Sequence, residues 1–180
     1  EKLKKGMRIL IREGSVSKDL KSLHKILTDK TAPYICLCTD DRNPLDIYEQ
    51  GHINYMVKAL IELGVKPLNA YRASSLSAAE AFGLLDRGLI APGKKADIIC
   101  LQDIEECKPA MVMSGGRVVC DEIFSTVNRI KPIGLNSVKS KSVKSSDFII
   151  KDTSEDTNVI GILEGKIITE HLFEKIPLSN

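Results

Sequence analysis

The sequence predicts an α/β fold in which two βα units of a parallel sheet precede smaller, mostly β-structured parts. Up to residue 63, short apolar runs alternate with amphipathic helical stripes, which is the pattern of βα units. From residue 92 onward the pattern changes to short strands separated by glycine turns. The composition is that of a globular protein, since 43% of the 180 residues are hydrophobic and 28% are charged.

The first predicted βα unit covers residues 6–28. Residues 7–11 form a short apolar strand, and residues 12–15 form a polar loop behind it. Ser17 is a residue type that caps helices, so we expect a helix to begin there. The stripe that this helix is expected to bury consists of Leu20, Leu23, Ile26 and Leu27.

The second predicted βα unit repeats this plan between residues 34 and 63. Its strand, residues 34–38, is followed at once by Asp40 and Asp41, and Asn43-Pro44 is typical of a helix start. The expected buried stripe consists of Ile53, Met56, Val57, Leu60 and Ile61. Two more helices are predicted, one from Pro67 and one from a capping-box pattern at residues 77–80.

Two parallel strands with their helices are too few for a closed or doubly covered sheet. A (β/α)8 barrel takes about 250 residues, so residues 6–63 would supply about a quarter of one. We therefore expect the chain to be the last part of something larger. We also expect that its first 90 residues are not stable alone.

Beyond residue 90 the sequence predicts β structure interrupted by a linker. A turn at Pro92-Gly93 precedes a strand at residues 96–101 and a hairpin around Gly115-Gly116. The stretch 129–146, rich in Lys and Ser, is predicted to be solvated because it has little to bury. A further β element is predicted from the apolar runs 148–150, 158–163 and 166–169, with a turn at Glu164-Gly165.

Composition and charge argue against several kinds of partner. The net charge is +2, aromatic residues make up 4% and Trp is absent, so we expect no nucleic-acid binding. We also expect no membrane span, because no apolar run approaches the required length of about 20 residues. The five cysteines lack a framework spacing and are expected to be small buried side chains of a reduced, cytoplasmic protein.

The acidic pair Asp40-Asp41 is the strongest candidate for chemistry. Barrels of this class place catalytic groups at the carboxyl ends of their strands. A buried carboxylate without a partner is costly, so the pair needs a cation, a metal or backbone donors. The simpler alternative is a strand end whose Asp caps the helix that begins at Asn43-Pro44, and the residues alone leave both possibilities open.

Several segments, in this order and spacing, resemble the bacterial adenine deaminases of the amidohydrolase superfamily. They are Gly6-Met7, Ile11-Arg12-Glu13-Gly14-Ser15, Cys38-Thr39-Asp40-Asp41-Arg42, Gly51-His52-Ile53, Asp86-Arg87-Gly88 and residues 90–97. Residues 90–97 are generic to the superfamily, whereas residues 12–15 and 39–42 point to adenine deaminases. The resemblance runs from about residue 5 to 120 and is weaker after Asp147.

The resemblance implies a fold and a domain arrangement. The chain would hold the last βα units of an amidohydrolase (β/α)8 barrel, with its two strands as the seventh and eighth. A small β-sandwich segment and a further β element would follow. The implied domains are residues 1–90 for the barrel units, 91–127 for the β-sandwich segment, 128–146 for a linker and 147–180 for the start of a C-terminal domain.

The resemblance also implies a reaction, the metal-dependent hydrolysis of adenine to hypoxanthine and ammonia. Asp40 would be both a metal ligand and the catalytic acid–base group. The metal would be divalent, Mn²⁺ or Fe²⁺, and dinuclear in full-length family members. Most of its ligands, including the family's His-x-His pair, are absent from this chain, whose three histidines (His24, His52 and His171) are too dispersed to replace them.

The loops at the carboxyl ends of the two predicted strands are expected to contact the substrate. The residues expected to do so are Arg12, Glu13, Ser15 and Asp41. Glu and Ser could pair with the donors and acceptors of a purine edge. The alternatives are an Arg12–Glu13 salt bridge inside the loop and a structural role for Asp41, for example in orienting Arg42.

Three functional hypotheses stay open at this point. The first is a portion of an adenine deaminase that is inactive alone, within a cytoplasmic enzyme that we expect to be a homo-oligomer. The second is a non-catalytic remnant that serves oligomerisation or partner binding. The third is an amidohydrolase that acts on another cyclic amide or amidine.

Overall fold

A computed structural model of the chain describes residues 1–125, 130–149 and 156–175. The chain divides into two compact units, one made of Glu1–Val119 with Glu164–Ile167 and the other of Cys120–Leu163 with Ile168–Asn180. The described residues form helices and three small β-sheets, so the predicted α/β class is confirmed. Among the described residues, no helix combines the length and apolarity that crossing a bilayer requires.

The first two strands form the predicted parallel pair. Strand β1 (Ile9–Arg12) lies beside β2 (Ile35–Cys38), with Ile9 opposite Ile35 and Arg12 opposite Cys38. Because parallel strands end at the same edge, the loop after β1 and the loop after β2 begin side by side. Every candidate site residue predicted from the sequence belongs to these two strand ends and their loops.

The helix after β1 is shorter than predicted. Helix α1 (Leu20–Leu23) continues only as a 3₁₀ turn (His24–Ile26), and Asp19 rather than Ser17 precedes its first residue. The reason is the loop, which folds back on itself: the Gly14 amide donates to the Ser17 carbonyl at 2.9 Å. Ser17 is therefore committed to the loop, and the helix begins three residues later. Of the expected stripe, Leu20 and Leu27 are buried, and Leu23 and Ile26 are half-buried.

The helix predicted to begin at Asn43-Pro44 begins there, but it ends at Gln50, and a second helix carries the predicted apolar stripe. Helix α2 (Pro44–Gln50) is capped by Asn43, whose Oδ1 accepts from the Asp46 amide at 2.9 Å. Helix α3 (Ile53–Glu62) follows after Gly51 and presents the predicted apolar stripe to the core. The stripe's fully buried members are Met56, Val57 and Leu60.

Helices α4 (Pro67–Ser74) and α5 (Leu76–Ala81) complete the helical segment. The predicted capping box is wrong, because Ser75 occupies the N-cap and Ser77 lies inside α5. Ser77 is 0% exposed, and its hydroxyl donates to the Ala32 carbonyl at 2.7 Å. A buried hydroxyl needs a partner, and this one finds it across the core instead of at its own helix end.

One apolar cluster holds the strand pair against these helices. It leaves the carboxyl ends of β1 and β2 at the surface. Its buried members are Ile11, Leu20, Leu27, Ala32, Ile35, Leu37, Met56, Val57, Leu60, Val65, Ala70, Ala73 and Cys107.

The next three strands form an antiparallel sheet in the order β3 (Ile98–Leu101), β4 (Pro109–Ser114), β5 (Arg117–Val118). The predicted hairpin at Gly115-Gly116 is confirmed, with Met113 opposite Val118. All five cysteines are free, as expected. The expectation that all are buried is wrong for two of them. Cys100, in β3, and Cys120, two residues after the end of β5, are exposed.

The second unit contains a short helix, α6 (Asp121–Ser125), and a hairpin of β6 (Thr157–Ile162) and β7 (Thr169–Glu174). Residues 130–144 are exposed and contain neither helix nor strand. The predicted strand at residue 148 is wrong, since Ser145–Phe148 is a 3₁₀ turn; Ile150 lies outside the described residues. The strand predicted at 166–169 begins only at Thr169, because the turn at Glu164-Gly165 extends past residue 166.

Candidate active site

The carboxyl ends of β1 and β2 bring together the side chains that the sequence singles out. The pairing continues one residue past the strands, where the Glu13 amide donates to the Cys38 carbonyl at 3.0 Å. Arg12 ends β1, and Asp40 lies two residues beyond the end of β2. Residues 28 positions apart in the sequence thus meet at one edge of the sheet.

Arg12 lies between two carboxylates. Its Nη1 donates to Asp40 Oδ2 at 2.8 Å and its Nη2 donates to Asp19 Oδ2 at 3.1 Å. The hydrogen bond to Asp40 is the main cause that raises the pKa of Arg12, and the bond to Asp19 adds to it. The Arg12 side chain is 22% exposed and that of Asp40 is 51% exposed, so the pair lies at the surface end of the core.

The backbone of Asp40 adopts φ = 54°, in the left-handed region that non-glycine residues rarely occupy. Such conformations are found where surrounding structure enforces them, and they cluster at functional sites. Oδ2 is held by Arg12, while Oδ1 has no hydrogen-bond partner in the part of the chain that the structure describes. Asp40 therefore presents one fixed oxygen and one open oxygen.

Asp41 points into the loop after β1. Its Oδ2 accepts from the amides of Val16 at 3.1 Å and Ser17 at 3.3 Å. Burial opposes ionisation of this carboxyl, but the backbone donors outweigh that effect and lower its pKa. The contact is close: a Cβ added at Gly14 would lie 1.5 Å from Asp41 Oδ1. Asp41 joins the two loops and makes no hydrogen bond to Arg42.

Glu13 is 8% exposed, and its Oε2 accepts from the Leu20 amide at 3.2 Å. Burial raises the pKa of Glu13, and the hydrogen bond from Leu20 only partly offsets this effect. The alternative of an Arg12–Glu13 salt bridge is not what the structure shows, because Arg12 pairs with Asp19 and Asp40. Glu13 is thus a mostly buried carboxyl close to the strand end.

Ser15 ties the first loop to the start of α2. Its hydroxyl donates to the Asp46 carboxylate and accepts from the Asn43 amide at 2.9 Å. The same Asp46 supplies the amide that Asn43 caps. Ser15 therefore holds the mouth of the site against the helix that follows Asp40.

Three further residues at this edge were not predicted as members of the site. Asp19 is the second partner of Arg12, and no local pattern in the sequence indicates this pairing. His52 Nε2 lies 3.0 Å from the hydroxyl of Thr39, the residue that precedes Asp40 in the sequence. Arg42 is buried, donates from Nε to the Gly51 carbonyl at 2.8 Å and lies 4.4 Å from the Tyr55 ring centroid.

Within residues 1–125, 130–149 and 156–175, no three His, Cys, Asp or Glu side chains converge as a metal site. The donor set here is a single carboxylate, Asp40, with one open oxygen. It fits one ligand position of a metal and does not make a site by itself. Two clefts of the first unit, of about 560 and 450 Å³, are lined by other residues. Neither cleft includes Asp40, whose side chain is half-exposed at this edge.

These features, a parallel sheet with acidic residues at its carboxyl edge, agree with comparisons to known proteins. Residues 3–119 match the amidohydrolase family, and the chain belongs to that family.

The resemblance to adenine deaminases extends beyond the predicted motifs. The chain is 55% identical over 177 residues to adenine deaminase 1 of Agrobacterium fabrum and to the adenine deaminase of Sinorhizobium fredii. It is 58% identical over 176 residues to an adenine deaminase of Cereibacter sphaeroides. In each case the match covers 98% of this chain and 31% of the relative, so the chain spans about a third of their length.

Proposed function

We propose that these 180 residues are the part of a metal-dependent adenine deaminase that carries its catalytic carboxylate. The longer chain that contains them is called the full-length protein below. The observation that carries the proposal is the position of Asp40, open on one oxygen at the carboxyl end of a parallel strand pair. The identity of 55–58% to adenine deaminases supports adenine as the substrate.

In this proposal β1 and β2 are the seventh and eighth strands of a (β/α)8 barrel. The sheet of β3, β4 and β5 belongs to a β-sandwich within residues 91–127, residues 128–146 are a linker, and residues 147–180 begin a C-terminal domain. The exposed edge at Asp40 supports this arrangement, because the remaining walls of an active site must then come from other strands. The full-length protein would be a cytoplasmic homo-oligomer.

In the proposed reaction, water attacks C6 of adenine and the amino group leaves as ammonia. The proposed metal is divalent, Mn²⁺ or Fe²⁺. When present, it would lower the pKa of a water molecule bound to it toward neutrality. Asp40 would be one of its ligands, with Oδ1 as the open oxygen. The Asp40 carboxylate would accept the proton of the attacking water and return a proton to the departing amine.

Glu13, Gly14, Ser15 and Asp41 would form the wall of the adenine pocket beside Asp40. Glu13 is the side chain proposed to meet the purine edge, since its Oε1 has no hydrogen-bond partner among the described residues. A carboxyl oxygen in this position could accept a hydrogen bond from the amino group of adenine. Arg12, Ser15 and Asp41 would shape this wall through their contacts with neighbouring loops.

The test is turnover by purified full-length protein supplied with Mn²⁺ or Fe²⁺, followed as ammonia release from adenine. The proposal predicts hypoxanthine as the product. It also predicts no turnover by the 180-residue chain alone, which holds one ligand of the metal. Turnover of another cyclic amide or amidine instead of adenine would favour the third hypothesis. A folded full-length protein that is inactive on every such compound would favour a non-catalytic role.

A further inference from the structure

We propose that Arg12 is a positioning residue that fixes the catalytic carboxylate Asp40 through a second anchor, Asp19, and makes no contact with the substrate. The inference rests on the proposed function for the role of Asp40. The positioning role of Arg12 and Asp19 is argued from their hydrogen bonds.

Each of the two terminal nitrogens of the Arg12 guanidinium donates one hydrogen bond to a carboxylate. Nη1 donates to Asp40 at 2.8 Å and Nη2 to Asp19 at 3.1 Å. A planar guanidinium presents donors in a fixed fork, so binding one carboxylate on each branch fixes the direction of both. Arg12 Nε is buried without a hydrogen-bond partner in the described part of the chain. The two carboxylates therefore determine where this side chain lies.

Two hydrogen bonds join Asp19 to Arg12. Its amide donates to the Arg12 carbonyl at 2.9 Å, and its carboxylate accepts from Arg12 Nη2. The side chain precedes α1, whose first residue, Leu20, is part of the core cluster. The ion-pair chain Asp19–Arg12–Asp40 thus leads from the core to the open oxygen of Asp40.

Adenine does not need a positive charge at this position, and both terminal nitrogens of Arg12 already donate to carboxylates. The purine is neutral at physiological pH, and the two carboxylates already exceed the single positive charge of Arg12. Asp40, in contrast, is half-exposed and would rotate freely without a partner on one oxygen. Holding Oδ2 fixes the direction of Oδ1, the oxygen proposed to bind the metal, and a misplacement of about 1 Å in a reacting group can cost about 100-fold in rate.

The experiment compares variants of the full-length protein by steady-state kinetics on adenine. Arg12→Met is expected to lower kcat by about 100-fold and Asp19→Asn by about 10-fold, both with KM changed by less than about twofold. Arg12→Lys is expected to fall between them, because an ammonium cannot span both carboxylates. The matched control is Arg87→Met, since Arg87 also bridges two carboxylates, Asp86 and Asp97, away from Asp40. The control is expected to keep its kcat.

Added guanidinium ion is expected to restore part of the lost kcat in an Arg12→Ala variant and to leave the kcat of Arg87→Met unchanged. A rise in KM with kcat unchanged would mean that Arg12 contacts the substrate and would overturn the proposal. Failure of guanidinium to restore any kcat would also contradict it.

A crystal structure of full-length Arg12→Met provides a readout that does not depend on turnover. The proposal predicts that the Asp40 carboxylate leaves the position it has in the wild-type structure. If wild-type protein does not turn adenine over, the proposed function fails, and this comparison still decides the positioning role. An Asp40 side chain that stays in place without Arg12 would overturn it.

Discussion

Arg12 Nη1 lies 2.8 Å from Asp40 Oδ2, which joins the last residue of β1 to the loop after β2. The two strands pair through backbone hydrogen bonds up to Arg12 and Cys38, and this ion pair extends their association beyond the ladder. Because Arg12 also bonds Asp19, the contact connects this edge of the sheet to the start of α1. The site is therefore built by two loops that hold each other.

Gly14→Ala is expected to destabilise the protein by about 1–3 kcal/mol, because the new Cβ would overlap Asp41 Oδ1 at 1.5 Å. Unfolding by urea measures the change in the full-length protein. The matched comparison is the same substitution in an Asp41→Ala background, where only the 3.0 Å approach to the Thr39 carbonyl oxygen remains and the added cost of Ala should be smaller. An equal cost in both backgrounds would show that Asp41 does not pack against Gly14.

Glu13→Gln is expected to stabilise the protein increasingly as the pH rises above about 4.5, the ordinary pKa of a glutamate. Burial raises the folded pKa, so the stability contributed by the protonated form is complete below the unfolded pKa and is lost as the pH rises through the folded one. Gln stays neutral and avoids this loss. The measurement is the difference in melting temperature between the variant and the wild type across about pH 4 to 7.

Asp41→Asn should show the opposite dependence. Backbone donors lower the folded pKa of Asp41 below its ordinary value of 3.8, so its stabilisation is present above that value and is lost as the pH falls through the folded pKa. The variant is expected to be less stable than the wild type near neutral pH and to approach it in acid. A difference in melting temperature that does not depend on pH would contradict the assigned hydrogen bonds.

Ser77→Ala is expected to lower the free energy of unfolding by about 1–3 kcal/mol. The substitution removes the hydroxyl that donates to the buried Ala32 carbonyl. Ser74→Ala is the matched control, since Ser74 donates to a carbonyl of its own helix, Tyr71, at 2.9 Å and is only partly buried. Urea unfolding of both variants in the full-length protein gives the comparison. Equal losses would mean that the bond across the core contributes nothing beyond a local one.

Much of the fold could be predicted from the sequence because the signals were local. The apolar runs before Arg12 and Asp40 indicate the two strands, and Asn43-Pro44 indicates the start of α2. Resemblance in residues 12–15 and 39–42 predicted the family before the structure was known. These features depend on neighbours within a few positions, which a sequence pattern records directly.

Of the features that the sequence did not predict, the helix start near Ser17 depends on a local turn, whereas the other two depend on contacts between residues farther apart in the sequence. Ser17 has the chemistry of a helix cap, but the turn made by Gly14 moves the helix start to Leu20. Ser77 fits a capping box, but packing draws it into the core. The Asp19–Arg12–Asp40 chain has no local pattern at all, because its members meet only when the strands pair.

Kinetic comparison of Asp40→Asn with Asp29→Asn in the full-length protein tests the central claim most directly. Both aspartates are more than half exposed and ion-paired, Asp40 with Arg12 and Asp29 with Lys66, but only Asp40 lies at the carboxyl end of the strand pair. The account predicts that Asp40→Asn abolishes ammonia release from adenine with the melting temperature unchanged, whereas Asp29→Asn keeps near-normal turnover. Near-normal turnover by a folded Asp40→Asn protein would contradict it.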